Sequence, residues 1–63
     1  MSKLNPLKLA RLEVGMSQWH VAKETGIAQT LLSLYERELK KPNENHKQAL
    51  ARLYGKRVEK LWE

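Results

Sequence analysis

The fold is constrained most strongly between residues 17 and 36, where two short helical segments lie on either side of Gly26. Ser17 is a favourable N-cap for the first segment, and the second runs from about Gln29 to Glu36. Gly26 can end the first segment because glycine adopts positive φ without steric cost. Ala22 supplies a small side chain where two steeply crossing helices approach each other. The spacing therefore predicts two short helices joined by a tight turn.

The rest of the chain also carries helical patterns, and signals for β-strands are nearly absent. Capping and breaking residues predict three further helices: one from Asn5-Pro6 to Gly15, one from Asn43 to Gly55, and a last turn over residues 57–62. The expected fold class is therefore all-α, with five helices in one domain over residues 1–63.

Apolar residues of the first helix recur at helical spacing. Leu7, Ala10 and Val14 are expected to face the core. Leu4 lies just before the helix and is expected to pack on Leu9, as in a hydrophobic staple.

Composition excludes several classes of function. The chain has no cysteine and no aspartate, and its two histidines, His20 and His46, lack an acidic partner at a useful spacing. We therefore expect no catalytic site, no metal site and no cofactor. No segment approaches the roughly 20 apolar residues of a membrane span, and no signal peptide is visible. The expected location is the cytoplasm.

The charge is uneven and basic. Twelve Lys and Arg residues oppose seven acidic residues, which gives a net charge of +5. Eight of the twelve basic residues lie in residues 37–63. This balance is consistent with binding a polyanion, and equally with a solvated basic surface.

A helical projection divides the third predicted helix into two faces. Ala28, Leu32 and Tyr35 fall on the expected core side, and Leu31 flanks it. The opposite side is mainly polar and has Leu34 at its edge; its members are Gln29, Thr30, Ser33 and Arg37.

This polar face suits the edges of DNA bases. Gln29 can bind adenine through two hydrogen bonds, the hydroxyls of Thr30 and Ser33 can bond to any base, and Leu34 can contact a thymine methyl. Phosphate contacts are then expected from residues around this face: Gln18, Lys23, Arg37, Lys40 and Lys41. The alternative is an ordinary solvated helix surface.

The combined pattern resembles the phage-repressor and Cro-like helix-turn-helix family of transcriptional regulators. The resemblance covers nearly the whole chain and rests on residues 9–18 (LARLEVGMSQ), Ala22, Gly26-Ile27, Gln29, residues 33–37 (SLYER), Pro42 and residues 50–55 (LARLYG). It implies a compact five-helix lambda-repressor-like domain that binds double-stranded DNA, with its third helix in the major groove.

The resemblance also implies partners and roles for single residues. It implies a homodimer on an inverted-repeat operator and repression of transcription. Because 63 residues leave no room for a separate ligand domain, no small-molecule ligand is expected. Gln18, Lys40 and Lys41 match positions that contact the DNA backbone, and Gln29, Thr30, Ser33 and Leu34 match positions that face the bases. Arg11 and Glu36 match a pair that forms a buried salt bridge.

The chain departs from the family pattern at several positions. Trp19 and His20 replace acidic or amide residues, and Ala28 replaces the Ser or Thr that caps the third helix. Leu34 replaces a frequent Arg or Lys. Glu38 replaces a common glycine, so the turn after the third helix is expected to have a different shape.

Two alternatives remain open at this point. The fold can serve as a protein-binding module, in which Trp19, Leu31 and Leu34 form an apolar patch. At the C-terminus, Val58, Leu61 and Trp62 suit either a dimer interface or packing onto the first helix. The chain is either a minimal Cro-like protein or the DNA-binding part of a longer repressor.

Overall fold

Five α-helices follow one another along residues 5–62, the part of the chain that the computed structural model describes. They are α1 (Pro6–Glu13), α2 (Gln18–Thr25), α3 (Gln29–Glu36), α4 (Glu44–Tyr54) and α5 (Val58–Leu61). No strand occurs among these residues, and the predicted all-α class is confirmed. Within the same residues no helix has the length and apolar character needed to cross a membrane.

Three of the helices begin at the predicted N-caps. The side-chain oxygens of Asn5, Ser17 and Asn43 each accept the backbone N–H three residues further on, at 2.8, 3.0 and 2.8 Å. Ala28, the N-cap of α3, makes no such bond. Local sequence therefore determines where α1, α2 and α4 start, whereas α3 relies on its neighbours.

The core lies between the helices and is built mainly from aliphatic side chains. Leu7, Val21, Leu32 and Leu50, from four different helices, are almost completely buried. α2 packs mostly on α3 and α4, and α1 packs on α3 and α5. Because one cluster joins all five helices, the geometry of α2 and α3 depends on the whole described chain.

Two expectations for buried residues prove wrong. Val14, the C-cap of α1, is 41% exposed, and Ala28 is also exposed. Both lie at helix ends, where the helical projection no longer describes the backbone. Trp19, which the protein-binding alternative places in an apolar patch, is 72% exposed. The Leu4–Leu9 staple lies outside the described residues, and Leu9 is itself exposed.

The C-terminal turn packs within the chain. Leu61 is buried, and Val58 and Trp62 are half-buried against the same core. α5 contacts both α1 and α4. These contacts favour packing onto the first helix over an exposed dimer surface.

Asn5 connects the beginning of α1 to the end of α3. While its side-chain oxygen caps α1, its Nδ2 donates to the carbonyl oxygen of Glu36 at 2.7 Å. One side chain thus satisfies backbone groups at two helix termini.

The turn after α3 keeps its shape although Glu38 stands where a glycine is expected. Glu38 adopts a φ of +60°. Its N–H donates to the Tyr35 carbonyl at 3.1 Å, and the Leu39 N–H donates to the Leu34 carbonyl at 2.9 Å, the two bonds of a Schellman motif. The expectation of a differently shaped turn is wrong, because these bonds hold Glu38 in the left-handed region.

Glu38→Gly should stabilise the domain by about 1 kcal/mol, because a residue with a Cβ is strained by about 1–2 kcal/mol in the left-handed region. The melting temperature should rise by about 4–8 °C. Glu38→Ala is the matched control, since it removes the carboxylate and keeps the strain. If the melting temperature rose equally in both variants, the gain would come from removing the carboxylate charge. Relief of backbone strain would then not explain it.

The two tyrosines differ in one polar contact. Both rings are buried, and the Tyr35 hydroxyl lies 2.8 Å from Nδ1 of His46. The Tyr54 hydroxyl is buried without a hydrogen-bond partner among residues 5–62. Burial, assisted by the negative charge of Glu36 and opposed by Arg11, raises the pKa of Tyr54 to about 12.

Tyr54→Phe should therefore leave the free energy of unfolding unchanged or raise it, whereas Tyr35→Phe should lower it by about 1 kcal/mol. Urea denaturation of both variants measures the difference. Because the folded-state pKa of Tyr54 lies above its unfolded value, the stability gained from its neutral form is complete below pH 10 and is lost as the pH rises through about 12. A larger loss for Tyr54→Phe than for Tyr35→Phe would contradict this assignment.

Candidate nucleic-acid interface

The turn between α2 and α3 is held by Gly26 and by the side chain of Thr25. Gly26 has a φ of +77°, and its N–H donates to the Ala22 carbonyl at 2.8 Å. The Thr25 hydroxyl donates to the Val21 carbonyl at 2.8 Å and accepts the Ile27 N–H at 3.2 Å. These bonds, with the buried Ile27 side chain, fix the direction in which α3 leaves the turn.

The predicted base-facing residues share one helix and differ in exposure. Thr30 is exposed, whereas Gln29, Ser33 and Leu34 are half-buried. Arg37, at the C-cap of α3, is exposed. The outer face of α3 therefore presents an amide, two hydroxyls and one aliphatic group over residues 29–34, and a positive charge only at its end.

A buried ion pair lies behind this face. Arg11 Nε donates to Glu36 Oε2 at 2.7 Å, and Arg11 Nη2 donates to Oε1 at 3.2 Å. The side chains are only 10% and 3% exposed. A third donor of the same guanidinium, Nη1, bonds the Met16 carbonyl at 2.8 Å. The resemblance assigns this pair to a buried salt bridge, and its two-pronged geometry ties α1 to α3.

Hydrogen bonds continue from this ion pair to the outer face of α3. Gln18 Nε2 donates to Glu36 Oε1 at 3.0 Å, and Gln29 Nε2 donates to Gln18 Oε1 at 2.6 Å. We call Arg11, Glu36, Gln18 and Gln29 the amide relay. It runs from the interior, through the first residue of α2, to the first residue of α3.

The relay has a defined polarity. An ionised carboxylate only accepts hydrogen bonds, so Glu36 requires the amide nitrogen of Gln18. The Gln18 oxygen then faces Gln29 and requires that residue's nitrogen. Gln29 keeps its carbonyl oxygen and one N–H for another partner, the donor and acceptor pair that matches N7 and N6 of adenine.

The candidate phosphate-contacting lysines are exposed. Lys23 lies on α2, while Lys40 and Lys41 lie in the loop between α3 and α4. Within residues 5–62 no acidic side chain forms a salt bridge with any of the three. Gln18, predicted to contact phosphate, is instead tied into the relay by both ends of its amide and retains one N–H.

Residues 7–61 match the protein-family model described as Helix-turn-helix, of the Cro and C1 type. The chain belongs to the phage-repressor and Cro-like helix-turn-helix family. As a member of this family, the Cro-like domain is a DNA-binding transcription regulator. Comparisons with curated proteins and with solved structures found no match.

The sequence predicted the Arg11–Glu36 salt bridge of the amide relay in the Cro-like domain, but not the hydrogen bonds that extend it through Gln18 to Gln29. Gln18 and Gln29 were treated as separate contacts to phosphate and base. Each is the first residue of its helix, and the tight turn brings these two helix starts together. Because both residues begin helices that the turn brings together, their contact was predictable from the sequence.

Over residues 5–62 the domain contains no group of His, Cys, Asp and Glu suited to holding a metal.

Proposed function

We propose that this Cro-like domain binds specific double-stranded DNA as a repressor, with α3 in the major groove. The observation that carries the proposal is the amide relay. It presents the Gln29 amide in one orientation at the N-terminus of α3, the part of a recognition helix that contacts base edges. Thr30, Ser33 and Leu34 supply the neighbouring base contacts.

The positive charge needed to hold DNA lies around this face rather than on it. Lys23, Arg37, Lys40 and Lys41 are all exposed, and Gln18 retains one N–H at the start of α2. In this proposal these residues bind phosphates on either side of the groove. They determine the position of the domain on the DNA and its affinity, while α3 determines which DNA sequence is bound.

We propose further that two copies bind an inverted repeat. The described chain measures 30 × 22 × 21 Å, and half-sites read by such domains lie about 34–36 Å apart. One copy therefore reaches one half-site, and a symmetric operator needs a homodimer.

Selection of bound sequences from random DNA duplexes tests the proposal. We expect an enriched palindrome with adenine at the position that Gln29 faces, and binding that weakens steeply with salt. Failure to enrich any sequence would reject specific DNA reading.

The protein-binding alternative gains little from the structure. Of its three residues only Trp19 is fully exposed, while Leu31 packs partly against the core and Leu34 is half-buried. They do not form the broad exposed patch that this alternative needs.

Replacing both loop lysines, Lys40→Ala with Lys41→Ala, should weaken binding to all DNA sequences alike. The slope of log K against log salt should become shallower by about 2, because each lysine neutralises one phosphate in this proposal. Titrations at several salt concentrations measure this slope on selected and on random duplexes. Lys60→Ala, which removes an exposed charge on α5, is the control. An unchanged slope in the double variant would contradict the phosphate role.

A further inference from the structure

A cleft of about 280 Å³ lies beside the proposed interface, where the α3–α4 loop meets the start of α1, α4 and the end of α5. Lys40 and Lys41 border it from the loop, and Lys47 borders it from α4. Tyr35 and Trp62 contribute aromatic walls. We call this feature the cationic cleft.

The charge of the cationic cleft is strongly one-sided. Among residues 5–62 its lining contains three lysines and a single acidic residue, Glu38. Within residues 5–62 none of the three lysine ammonium groups forms a salt bridge. Concentrated, unpaired positive charge at a concave surface attracts anions.

The walls of the cleft are also partly aromatic. Trp62 is half-buried, and Lys47 Nζ lies 6.0 Å from the centre of its ring. The hydroxyl of the buried Tyr35 is already bonded to His46, so this wall offers mainly ring surface. Ammonium groups beside an indole form a site for a flat apolar group that carries negative charge.

The size of the cleft limits the ligand. Drug-sized ligands occupy pockets of about 300–1,000 Å³. At 280 Å³ the cationic cleft lies just below this range, so it fits a ligand about the size of one ring system with one anionic group.

We propose that the cationic cleft binds a small aromatic anion, with its ring against Trp62 and its carboxylate or phosphate among Lys40, Lys41 and Lys47. This proposal departs from the expectation, drawn from the length of the chain, that it has no small-molecule ligand. A second consequence rests on the proposed function: because Lys40 and Lys41 are also the proposed phosphate contacts, bound ligand weakens DNA binding, and DNA weakens ligand binding by the same factor.

Fluorescence of Trp62 provides the test. The chain has two tryptophans, so Trp19→Phe leaves Trp62 as the only reporter. In the absence of DNA, titration with benzoate should give a saturable change. Inorganic phosphate, which has no ring, and benzyl alcohol, which has no charge, should each bind at least about tenfold more weakly. AMP serves as the nucleotide probe: tighter binding than benzoate identifies nucleotides as the ligand class, and weaker binding identifies aromatic acids.

Substitutions in the same background locate the site. Lys47→Gln should weaken benzoate binding about tenfold, and Lys60→Gln, an exposed charge outside the cleft, should not. Glu38→Gln should tighten it about threefold by removing the opposing charge. Circular dichroism shows whether each variant is folded.

The proposal is overturned if benzoate gives no saturable change, if phosphate or benzyl alcohol binds as tightly, or if Lys47→Gln and Lys60→Gln lose binding equally. Competition is measured separately, with benzoate added to a complex of the domain and its selected duplex. Benzoate should weaken that complex in the parent protein and much less in Lys47→Gln. If the domain did not bind DNA, the proposed function would be rejected. The ligand site would still be tested by the benzoate titrations without DNA.

Discussion

Arg11→Met should lower the free energy of unfolding by about 3–5 kcal/mol, because it leaves the Glu36 carboxylate buried without its cation. The Met16 carbonyl also loses the donor that Arg11 provides. A chain of 63 residues has only about 3–9 kcal/mol of stability in total, so this loss is a large part of it. Urea denaturation followed by circular dichroism measures the change.

Two further variants test whether the uncompensated charge of Glu36 causes that loss of stability. Lys56→Met breaks the exposed ion pair with Glu13, whose atoms lie 3.0 Å apart, and should cost less than about 1 kcal/mol. Adding Glu36→Leu to Arg11→Met removes the uncompensated charge and should recover part of the stability. Glu36→Leu also removes the acceptor of Gln18, so the recovery is only partial. A double variant less stable than Arg11→Met would contradict buried charge as the main cause of the loss.

Gln29→Ala should weaken binding to the selected DNA site by about 10- to 100-fold and leave binding to random DNA nearly unchanged. A two-bond contact between glutamine and adenine contributes about 1–3 kcal/mol of discrimination, and phosphate contacts are indifferent to sequence. Equilibrium titration of both duplexes at one salt concentration measures the two affinities.

The control for Gln29→Ala is Gln48→Ala, which removes the same side chain from an exposed position on α4. It should affect neither affinity. Equal losses on selected and random DNA in Gln29→Ala would show that Gln29 does not read a base, even if the protein binds DNA.

Helix boundaries were predictable because they depend on nearby residues. Asn5, Ser17 and Asn43 cap the first turns of their own helices, and Gly26 ends α2 through its own backbone conformation. The same local reasoning fails one residue beyond a helix. Val14 and Ala28 fit the apolar repeat but lie at caps, where the chain turns away from the core.

Features that depend on contacts between helices were less predictable. Glu38 was expected to change the turn because glycine is the usual residue there, yet two backbone hydrogen bonds impose the left-handed conformation. A helical projection contains no information about neighbouring helices. For the same reason Gln18 and Gln29 appeared as two contacts rather than one connected pair.

The amide relay also bears on how a domain of this kind acquires a new target sequence. Gln29 is joined through Gln18 to the buried ion pair, so exchanging it removes a bond that positions Gln18 beside Glu36. Thr30 and Ser33 form no side-chain hydrogen bond within residues 5–62, and changes there cost the fold little. Evolution, or an engineer, can therefore alter the proposed recognition at these two positions while Gln29, with its proposed preference for adenine, stays with the scaffold.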